Sequence, residues 1–295
     1  MDAKLLQSRL LELIRRTSCV LPPDVARAVE KGWRREKKGT TAKYAFGVIR
    51  DNVVLAGDKS QPICQDTGTI ICYVDRPRWI TERDFRRAFE KAVVQATKIG
   101  YLRQNSVDSI TGKNSGTNLG PGSPVIHFHE TSARSMTMRL MLKGGGCENV
   151  GVQYALPNAK LGAGRDLEGV RRCVLDAVNT AQGKGCGPGV LGVCIGGDRA
   201  TGYAASKETF FRSLDDVNPD PTLARLEKRL LKEANSLGIG PMGFGGATTV
   251  MGIKLTARNR VPASFYVSVS YMCWAYRRDG CKLSESGKVT GWLYS

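Results

Sequence analysis

The sequence predicts a mixed α/β fold with interleaved helices and sheets. It does not decide between one body and two lobes. Segments with apolar residues at helical spacing alternate with short β-rich segments along the whole chain, which is typical of α/β proteins. Apolar residues make up 41% of the 295 residues, enough for a sizeable core. Neither an internal repeat nor a clear linker is visible, so we treat residues 1–295 as one domain without an internal boundary.

The first third of the chain predicts two amphipathic helices with a strand between them. Over the first 16 residues, four apolar side chains fall on one helical face; these are Leu6, Leu10, Leu13 and Ile14. The β-rich string at 69–74 predicts a strand. Thr81, with Asp84 three residues later, predicts the start of a helix. The apolar stripe of that helix consists of Phe85, Ala88, Phe89, Ala92, Val93 and Ala96.

The rest of the chain continues the same alternation. Residues 103–124 are rich in Gly, Asn, Ser and Thr and predict a binding loop. The elements predicted after it are a strand at 136–142, a helix at 167–178, a strand at 190–195, a helix ending near Gly238, and strands at 248–255 and 264–272. Helices and strands therefore interleave to the end of the sequence.

The charge of the chain indicates an anionic partner. There are 44 Lys and Arg against 27 Asp and Glu, a net charge of +17 that is spread along the sequence. Net charge alone does not separate a polyanion such as nucleic acid from small acids drawn toward a cleft. No stretch approaches the roughly 18 apolar residues that span a bilayer, and the charged start is unlike a signal peptide. We therefore expect a soluble, cytoplasmic protein without a membrane partner.

The cysteine and histidine content excludes several kinds of site. Nine cysteines, an odd number in a chain without an export signal, do not predict a disulfide framework. The absence of a Cys-x-x-Cys pair excludes zinc-finger spacing, and two histidines are too few for a His-rich metal site. His127 and His129 lie on the same side of a period-two segment. We interpret them as the half-exposed face of a strand.

Three cysteines lie in glycine-rich or polar turns at the ends of predicted strands, where a sulfur can point into a cleft. They are Cys64, Cys147 and Cys186. Ligands for an iron-sulfur cluster can come from separate loops, and three thiolates on a four-iron cluster leave one iron open as a Lewis acid for dehydration chemistry. The alternative is that all three are ordinary thiols in turns. Nearby Asp66 and Glu148 are each a candidate base, a substrate-orienting group or a turn residue.

Five strings in the sequence resemble one known family. They are PICQDTG at 62–68, KGGGCEN at 143–149, GCGPG at 185–189 followed by IGG, LGIGP at 237–241, and YMCWAYRR at 271–278. At these residues the sequence resembles the class I fumarate hydratase and L-tartrate dehydratase family, specifically its α-subunit or N-terminal catalytic region. The resemblance covers nearly the whole chain.

The resemblance implies an oxygen-sensitive 4Fe-4S cluster in a cleft, with the substrate on its fourth iron. The implied cluster ligands are Cys64, Cys147 and Cys186. Gln65 and Asp66 would meet the substrate, with Asp66 as the catalytic residue. Arg103 would pair with a substrate carboxylate, and the backbone around Gly116 would line the pocket.

Two departures from the family pattern stand out. Many members have Cys-Pro-Pro where this chain has Cys186-Gly187-Pro188, so the turn geometry is expected to differ although the sulfur is retained. Single-chain members also continue into a C-terminal domain, whereas this sequence ends at Ser295. The resemblance therefore implies an α-subunit whose missing half is a separate β-subunit, with the αβ units dimerising.

The leading hypothesis is a hydro-lyase α-subunit that interconverts fumarate and L-malate, a reaction of the tricarboxylic acid cycle. L-tartrate dehydratase is the alternative within the family, because one hydroxyl separates the substrates. A basic nucleic-acid-binding protein is the alternative from another class, but the basic residues are not interleaved with aromatic residues and no recognition motif is present. A cluster-bearing sensor without turnover is a further alternative.

Overall fold

The computed structural model describes residues 1–294 and shows the mixed α/β fold that the sequence predicts. The chain divides into two compact units. Unit 1 consists of Met1–Pro23, Asp51–Gly145 and the segment from Ala275 onward. Unit 2 consists of Asp24–Arg50 and Gly146–Trp274. Each unit is built from segments that are distant in the sequence.

Eight α-helices and nine strands occur among the described residues. The helices are α1 (Ala3–Cys19), α2 (Pro23–Arg35), α3 (Thr41–Lys59), α4 (Glu82–Lys98), α5 (Gly145–Asn149), α6 (Leu167–Ala181), α7 (Arg199–Glu208) and α8 (Pro221–Ser236). The strands are β1 (Thr69–Arg76), β2 (Val125–Glu130), β3 (Met136–Lys143), β4 (Val152–Ala155), β5 (Gly189–Gly196), β6 (Val250–Arg258), β7 (Tyr266–Met272), β8 (Arg277–Leu283) and β9 (Val289–Trp292). No helix in residues 1–294 is long and apolar enough to cross a membrane.

Unit 1 contains a five-stranded mixed sheet in the order β2-β1-β3-β8-β9. β1 is parallel to β2 and antiparallel to β3, which is antiparallel to β8. The apolar stripes of α1 and α4 pack with the sheet in one core, because amphipathic helices bury their apolar faces. Thr69 of β1 pairs with Lys143, and Leu142 pairs with Arg277. The start of β1, the end of β3 and the start of β8 therefore meet at one end of this sheet.

Unit 2 contains a four-stranded sheet in the order β4-β7-β5-β6. β5 is parallel to β6 and antiparallel to β7. Every residue of β5 is buried, which explains its continuous apolar sequence. Apolar residues of α6 and α8 share one core with this sheet. The glycine loop that carries Cys186 leads directly into β5, so the central strand fixes the position of that loop.

Most of the predicted elements are confirmed. The six-residue stripe of α4 is buried as predicted, and the Thr81 side chain accepts a hydrogen bond from the Asp84 N–H. The histidine prediction is also confirmed, because β2 is an edge strand on which His127 is half-buried and His129 is exposed. The His127 ring stacks on Tyr73 with ring centroids 4.4 Å apart.

Seven elements are absent from the sequence prediction, namely α2, α3, α5, α7, β4, β8 and β9, and three of them show why. α2 has only a short apolar face, and its C-terminal end is the basic stretch that hides the helical pattern. β8 begins with Arg277, Arg278 and Asp279, all of which are buried. Buried charges break the alternation of apolar and polar residues by which a strand is recognised. β9 is short and half-exposed, and it carries no strong strand pattern.

Candidate functional site

Cys64 lies in a turn that hydrogen bonds hold on the N-terminal side of β1. The Ile63 N–H donates to the Ser18 carbonyl at 3.0 Å, and the Asn52 Nδ2 donates to the Ile63 carbonyl at 2.9 Å. These contacts fix the backbone immediately before Cys64, which is half-buried. Gln65 is exposed and Asp66 is half-buried. The turn thus places a thiol, an amide and a carboxyl group in three successive positions at one end of the unit 1 sheet.

Glycines allow the Asp66 turn and the loop after β3 to approach each other. The Asp66 Oδ2 accepts a hydrogen bond from the Gly145 N–H at 2.7 Å. A Cβ on Gly144 would lie only 2.8 Å from the same oxygen. Gly68 has φ +75°, and a Cβ there would collide with the Lys143 carbonyl. The glycine run after Lys143 is therefore explained by the close approach of the Asp66 carboxylate to the backbone.

The loop at 103–124 is joined to the same turn at its beginning. The Arg103 N–H donates to the Thr67 Oγ1 at 3.2 Å, and the Arg103 carbonyl accepts from the Asn118 Nδ2 at 2.6 Å. The Asn105 amide oxygen accepts from the N–H groups of Thr67 and Gly68 at 3.0 and 2.8 Å. The backbone of Arg103 is thereby held beside the Asp66 turn, while its side chain is exposed.

Gly116 belongs to a different part of this loop. It has φ +73° and is half-buried. Its N–H donates to the Asn114 Oδ1 at 2.9 Å, a contact within the loop itself. The structure thus brings Gln65, Asp66 and the backbone of Arg103 together, and the contacts it gives Gly116 are local ones.

Arg277, at the start of β8, is a residue of this region that sequence reasoning missed. Its side chain is 1% exposed, and its Nε and Nη1 atoms have no hydrogen-bond partner among the described residues. Its Nη2 would lie 3.6 Å from a Cβ on Gly144, the same position that approaches Asp66. Two buried guanidinium nitrogens without acceptors are energetically costly, and an anion that binds there would remove that cost.

Unit 2 brings together three cysteines, one more than the sequence analysis selected. The Cys147 Sγ accepts a hydrogen bond from the Cys273 N–H at 3.2 Å. The Trp274 N–H donates to the Cys186 carbonyl at 3.3 Å. Cys147 and Cys273 are 3% and 6% exposed, whereas Cys186 is exposed and has φ +53°. Cys273 directly follows β7, so the strand-end rule that selected the other cysteines would also have selected it.

The Tyr271 ring lies against the glycine loop that carries Cys186. A Cβ on Gly185 would lie 2.6 Å from a ring carbon of Tyr271, and a Cβ on Gly189 would collide with the ring. Burial raises the pKa of Tyr271 above its ordinary value, and the thiols of Cys273, Cys147 and Cys186 raise it further. The phenol is therefore neutral at physiological pH, and the glycines let the thiol loop pack against it.

Glu148, one of the two candidate bases, is held in an ion pair. Its Oε1 accepts from the Lys207 Nζ at 2.6 Å, and both side chains are largely shielded from solvent. Burial raises the pKa of Tyr203 above its ordinary value, and the negative charge of Glu148 adds to that rise. A carboxylate with a cationic partner is stabilised in its ionised form. This contact favours an orienting role for Glu148 over a role as proton acceptor.

Each unit carries a cysteine in a turn at the end of a strand, and thiolates are the ligands that iron-sulfur clusters take. Within residues 1–294, no three His, Cys, Asp or Glu side chains are grouped so that they could hold one metal ion. Cys64 belongs to unit 1, whereas Cys147, Cys186 and Cys273 belong to unit 2, where a backbone N–H lies beside the Cys147 sulfur.

Comparisons with known proteins identify the family. A family model described as fumarate hydratase (Fumerase) matches residues 7–282. The chain belongs to this fumarate hydratase family. It is 50% identical over 293 residues to a putative fumarate hydratase class I of Geobacillus stearothermophilus, a match that covers 98% of this chain and 57% of the relative. The chain thus spans little more than half the length of that relative.

Two relatives are named for the other activity considered above. A putative L(+)-tartrate dehydratase subunit alpha of Methanocaldococcus jannaschii is 33% identical over 285 residues, which are 95% of this chain and 98% of the relative. The L(+)-tartrate dehydratase subunit alpha of Escherichia coli (strain K12) is 30% identical over 260 residues, which are 88% of this chain and 84% of the relative. The family thus includes relatives of both kinds, and the resemblance inferred from the five strings is confirmed.

Proposed function

We propose that this chain is the α-subunit of a 4Fe-4S-dependent fumarate hydratase, a hydro-lyase that catalyses the reversible hydration of fumarate to L-malate. The observation that carries the proposal is the arrangement at the end of the unit 1 sheet. There a carboxylate held by a backbone N–H, a buried arginine and a cysteine two residues from the carboxylate share one region. The family match and the 50% identical relative named as a fumarate hydratase support the same reaction.

Three thiolates are proposed to hold the cluster, those of Cys64, Cys147 and Cys186. When bound, the cluster supplies an open iron that acts as a Lewis acid on the substrate hydroxyl. Cys273 is the competing choice for the third ligand, because its N–H contacts the Cys147 sulfur and the next residue is bonded to the Cys186 carbonyl. Cysteine variants, described below, decide between Cys147 and Cys273.

Asp66 is proposed as the catalytic residue. The Gly145 N–H fixes its Oδ2, so the orientation of the carboxylate is set before the substrate arrives. In the dehydration direction the Oδ1 would accept the C3 proton of malate, and in the hydration direction it would return that proton to the same carbon. Gln65, exposed beside Asp66, is proposed to orient the substrate through its amide.

Positive side chains are proposed to hold the two substrate carboxylates. Arg103 has an exposed guanidinium and a backbone fixed to the Asp66 turn. Arg277 is buried near the same Cβ position of Gly144 that Asp66 approaches, and two of its nitrogen atoms lack acceptors among the described residues. Arginine binds carboxylates with charge-assisted hydrogen bonds. The backbone around Gly116 is proposed to line the pocket, and the net charge of +17 suits a dicarboxylate substrate.

The proposal includes a separate β-subunit and αβ units that dimerise. The relatives named as tartrate dehydratases are alpha subunits, and the Geobacillus relative extends well beyond the part that this chain matches. The cytoplasm and the tricarboxylic acid cycle are the proposed setting. No nucleic acid or membrane partner is part of the proposal.

L-tartrate dehydratase is the second candidate function. The specific observation in its favour is that the Methanocaldococcus alpha subunit matches over 98% of its own length. Tartrate differs from malate by one hydroxyl, so both reactions can use the same carboxylate-binding groups. The ratio of kcat/KM for malate to kcat/KM for L-tartrate decides between the two.

The experiment begins with anaerobic reconstitution of the chain and its β-subunit with iron and sulfide. The proposal predicts hydration of fumarate and the visible absorption of a 4Fe-4S cluster. Single changes Cys64→Ser, Cys147→Ser and Cys186→Ser are each expected to remove that absorption, and Cys273→Ser is expected to keep it. Cys173→Ser, in the core of unit 2 away from the loops, is the matched control.

The outcomes of the cysteine variants are distinct. Absorption that survives Cys147→Ser and is lost in Cys273→Ser would show that Cys273 is a cluster ligand in place of Cys147. That result would not affect the proposed reaction. Absorption that survives every cysteine variant would contradict the cluster proposal. A fully loaded complex without fumarate hydration would contradict the proposed reaction.

A further inference from the structure

Unit 2 holds one cysteine more than the proposed cluster uses. If Cys64 supplies one thiolate of three, unit 2 supplies two, yet Cys147, Cys186 and Cys273 lie together there. This reasoning rests on the proposed function only in assuming that three cysteines bind the cluster. One of Cys147 and Cys273 is a thiol beside the cluster without a bond to iron.

Among these three cysteines, Cys147 and Cys273 are joined by a contact that involves a sulfur atom. The Cys273 nitrogen lies 3.2 Å from the Cys147 Sγ. One N–Cα bond of about 1.46 Å separates that nitrogen from the Cys273 Cα, so this Cα lies within about 4.7 Å of the Cys147 sulfur. In a disulfide the sulfur of one cysteine is separated from the Cα of the other by one S–S, one S–Cβ and one Cβ–Cα bond, so a sulfur this close to the Cys273 Cα is within reach of such a bond.

Cys186 is joined to this pair in a different way. Its contact with the Cys273 segment runs from its carbonyl to the Trp274 N–H, between backbones, and its side chain is exposed. Cys147 and Cys273 are both buried, so their thiols are shielded from bulky reagents, and the backbone nitrogen of Cys273 lies 3.2 Å from the Cys147 sulfur. A small oxidant reaches such a pair more readily than a protein thiol does.

We propose that Cys147 and Cys273 form a reversible disulfide in the chain that carries no cluster, with hydrogen peroxide as the oxidant. One thiol reacts with peroxide to give a sulfenic acid and a molecule of water. The sulfur of the second thiol then displaces the hydroxyl group, which leaves with the thiol proton as a second water. Two thiols and one peroxide thus give one disulfide and two waters.

The disulfide has a direct consequence for the cluster. One of its two cysteines is a proposed or competing cluster ligand, and a sulfur in a disulfide is not a thiolate that can bind iron. A cluster-free chain that has reacted with peroxide would therefore not bind a new cluster until a thiol reductant reduces the disulfide. The pair protects both sulfurs from irreversible oxidation to sulfinic acid.

The experiment uses the full-length chain after anaerobic removal of the cluster with a chelator and reductant, followed by removal of both. One equivalent of hydrogen peroxide is added, and peptides are mapped by mass spectrometry without reduction. We expect the loss of two titratable thiols per chain, a cross-linked peptide pair containing residues 147 and 273, and recovery of both thiols with dithiothreitol. In Cys147→Ser we expect the loss of thiols to be at least tenfold slower.

The controls separate this disulfide from general oxidation. Cys173→Ser, which removes a buried thiol of α6, is expected to form the same cross-link at the wild-type rate. Cys147→Ala is a second variant at the key position, and the wild-type peptide map decides the matter even if both variants fail to fold. A cross-link that joins Cys186 to either partner, or oxidation of Cys186 alone, would overturn the inference.

The test is also separable from the proposed function. A 147–273 cross-link in a chain whose loaded complex does not hydrate fumarate would support this inference and contradict the proposed reaction. If the loaded complex hydrates fumarate but the cluster-free chain forms no such cross-link, the result would support the proposed reaction and contradict this inference.

Discussion

At the scale of single residues, the candidate site depends on the absence of a side chain at Gly144. Asp66 and Arg277 approach this position, and a side chain there would meet the carboxylate first. The opposite charges of the two residues are not in direct contact, since no ion pair joins them among the described residues. A glycine at this position therefore keeps both groups available to a ligand.

The change Gly144→Ala tests this account of the glycine. The new methyl group would lie 2.8 Å from the Asp66 Oδ2 and would displace the carboxylate from its hydrogen bond with Gly145. We expect kcat for fumarate hydration to fall at least tenfold while the absorption of the cluster is retained, because misplacement of a catalytic group costs rate. Gly47→Ala is the matched control, since a Cβ there meets no atom within 4 Å. An unchanged kcat in Gly144→Ala would contradict the role of Asp66.

A second residue-scale prediction concerns Arg277. Lysine retains the charge but not the geometry of the guanidinium, so we expect Arg277→Lys to raise KM for fumarate at least tenfold, with a smaller change in kcat. Arg278→Lys is the control, because Arg278 is equally buried but its guanidinium lies over the rings of Tyr276 and Tyr294. Steady-state kinetics of the loaded complex make the comparison. Equal KM values in wild type and Arg277→Lys would exclude Arg277 from substrate binding.

At the scale of elements, the sequence predicts those parts of the fold whose apolar pattern is regular. The stripes of α1 and α4 and the continuous apolar run of β5 are recognisable because burial follows the period of each element. β8 escapes prediction because Arg277, Arg278 and Asp279 are polar and yet buried. Cys273 directly follows the predicted strand at 264–272, so its position carries the same local signal as those of Cys64, Cys147 and Cys186. Contacts such as Cys273 N–H to Cys147 Sγ, across 126 residues, carry no local sequence signal.

An ion-pair network anchors β6 in unit 2 and gives a prediction for the pH dependence of stability. The Asp216 carboxylate accepts hydrogen bonds from Arg212 at 2.8 Å and from the buried Lys254 of β6 at 2.6 Å. Burial would raise the pKa of Asp216, but the hydrogen bonds from Arg212 and Lys254 outweigh it and hold the pKa below its ordinary value. A depressed pKa in the folded state contributes stability above the unfolded pKa of about 3.9, and that contribution is lost as the pH falls below it.

The change Asp216→Asn is expected to lower the free energy of unfolding by roughly 1–2 kcal/mol at pH 7, because it leaves Lys254 buried without its carboxylate. The difference between wild type and variant should shrink as the pH falls below about 4. Denaturant titrations of the chain at several pH values measure it. Asp215→Asn, which breaks an exposed pair with Arg27, is the control and is expected to change the free energy by less than about 0.5 kcal/mol. A constant difference from pH 7 to pH 3 would contradict the assignment.

At the scale of the whole molecule, the proposed site residues belong to two compact units that are each assembled from distant segments. Unit 1 carries Cys64, Asp66, Arg103 and Arg277, and unit 2 carries the three other cysteines. The spacing of neighbouring residues in one sequence cannot reveal such a set, so the sequence indicates it only through separate short strings. The same chain matches one relative over 57% of that relative's length and another over 98%. The Geobacillus relative therefore extends well beyond the part that this chain matches, whereas the Methanocaldococcus relative does not.

The most direct test of the central claim is the iron and sulfide content of the anaerobically reconstituted complex, measured together with its rate of fumarate hydration. The account predicts about four irons and four sulfides per chain and a rate that rises in proportion to them, with neither retained in the Cys64→Ser variant. Full hydration activity in a complex without iron would contradict it.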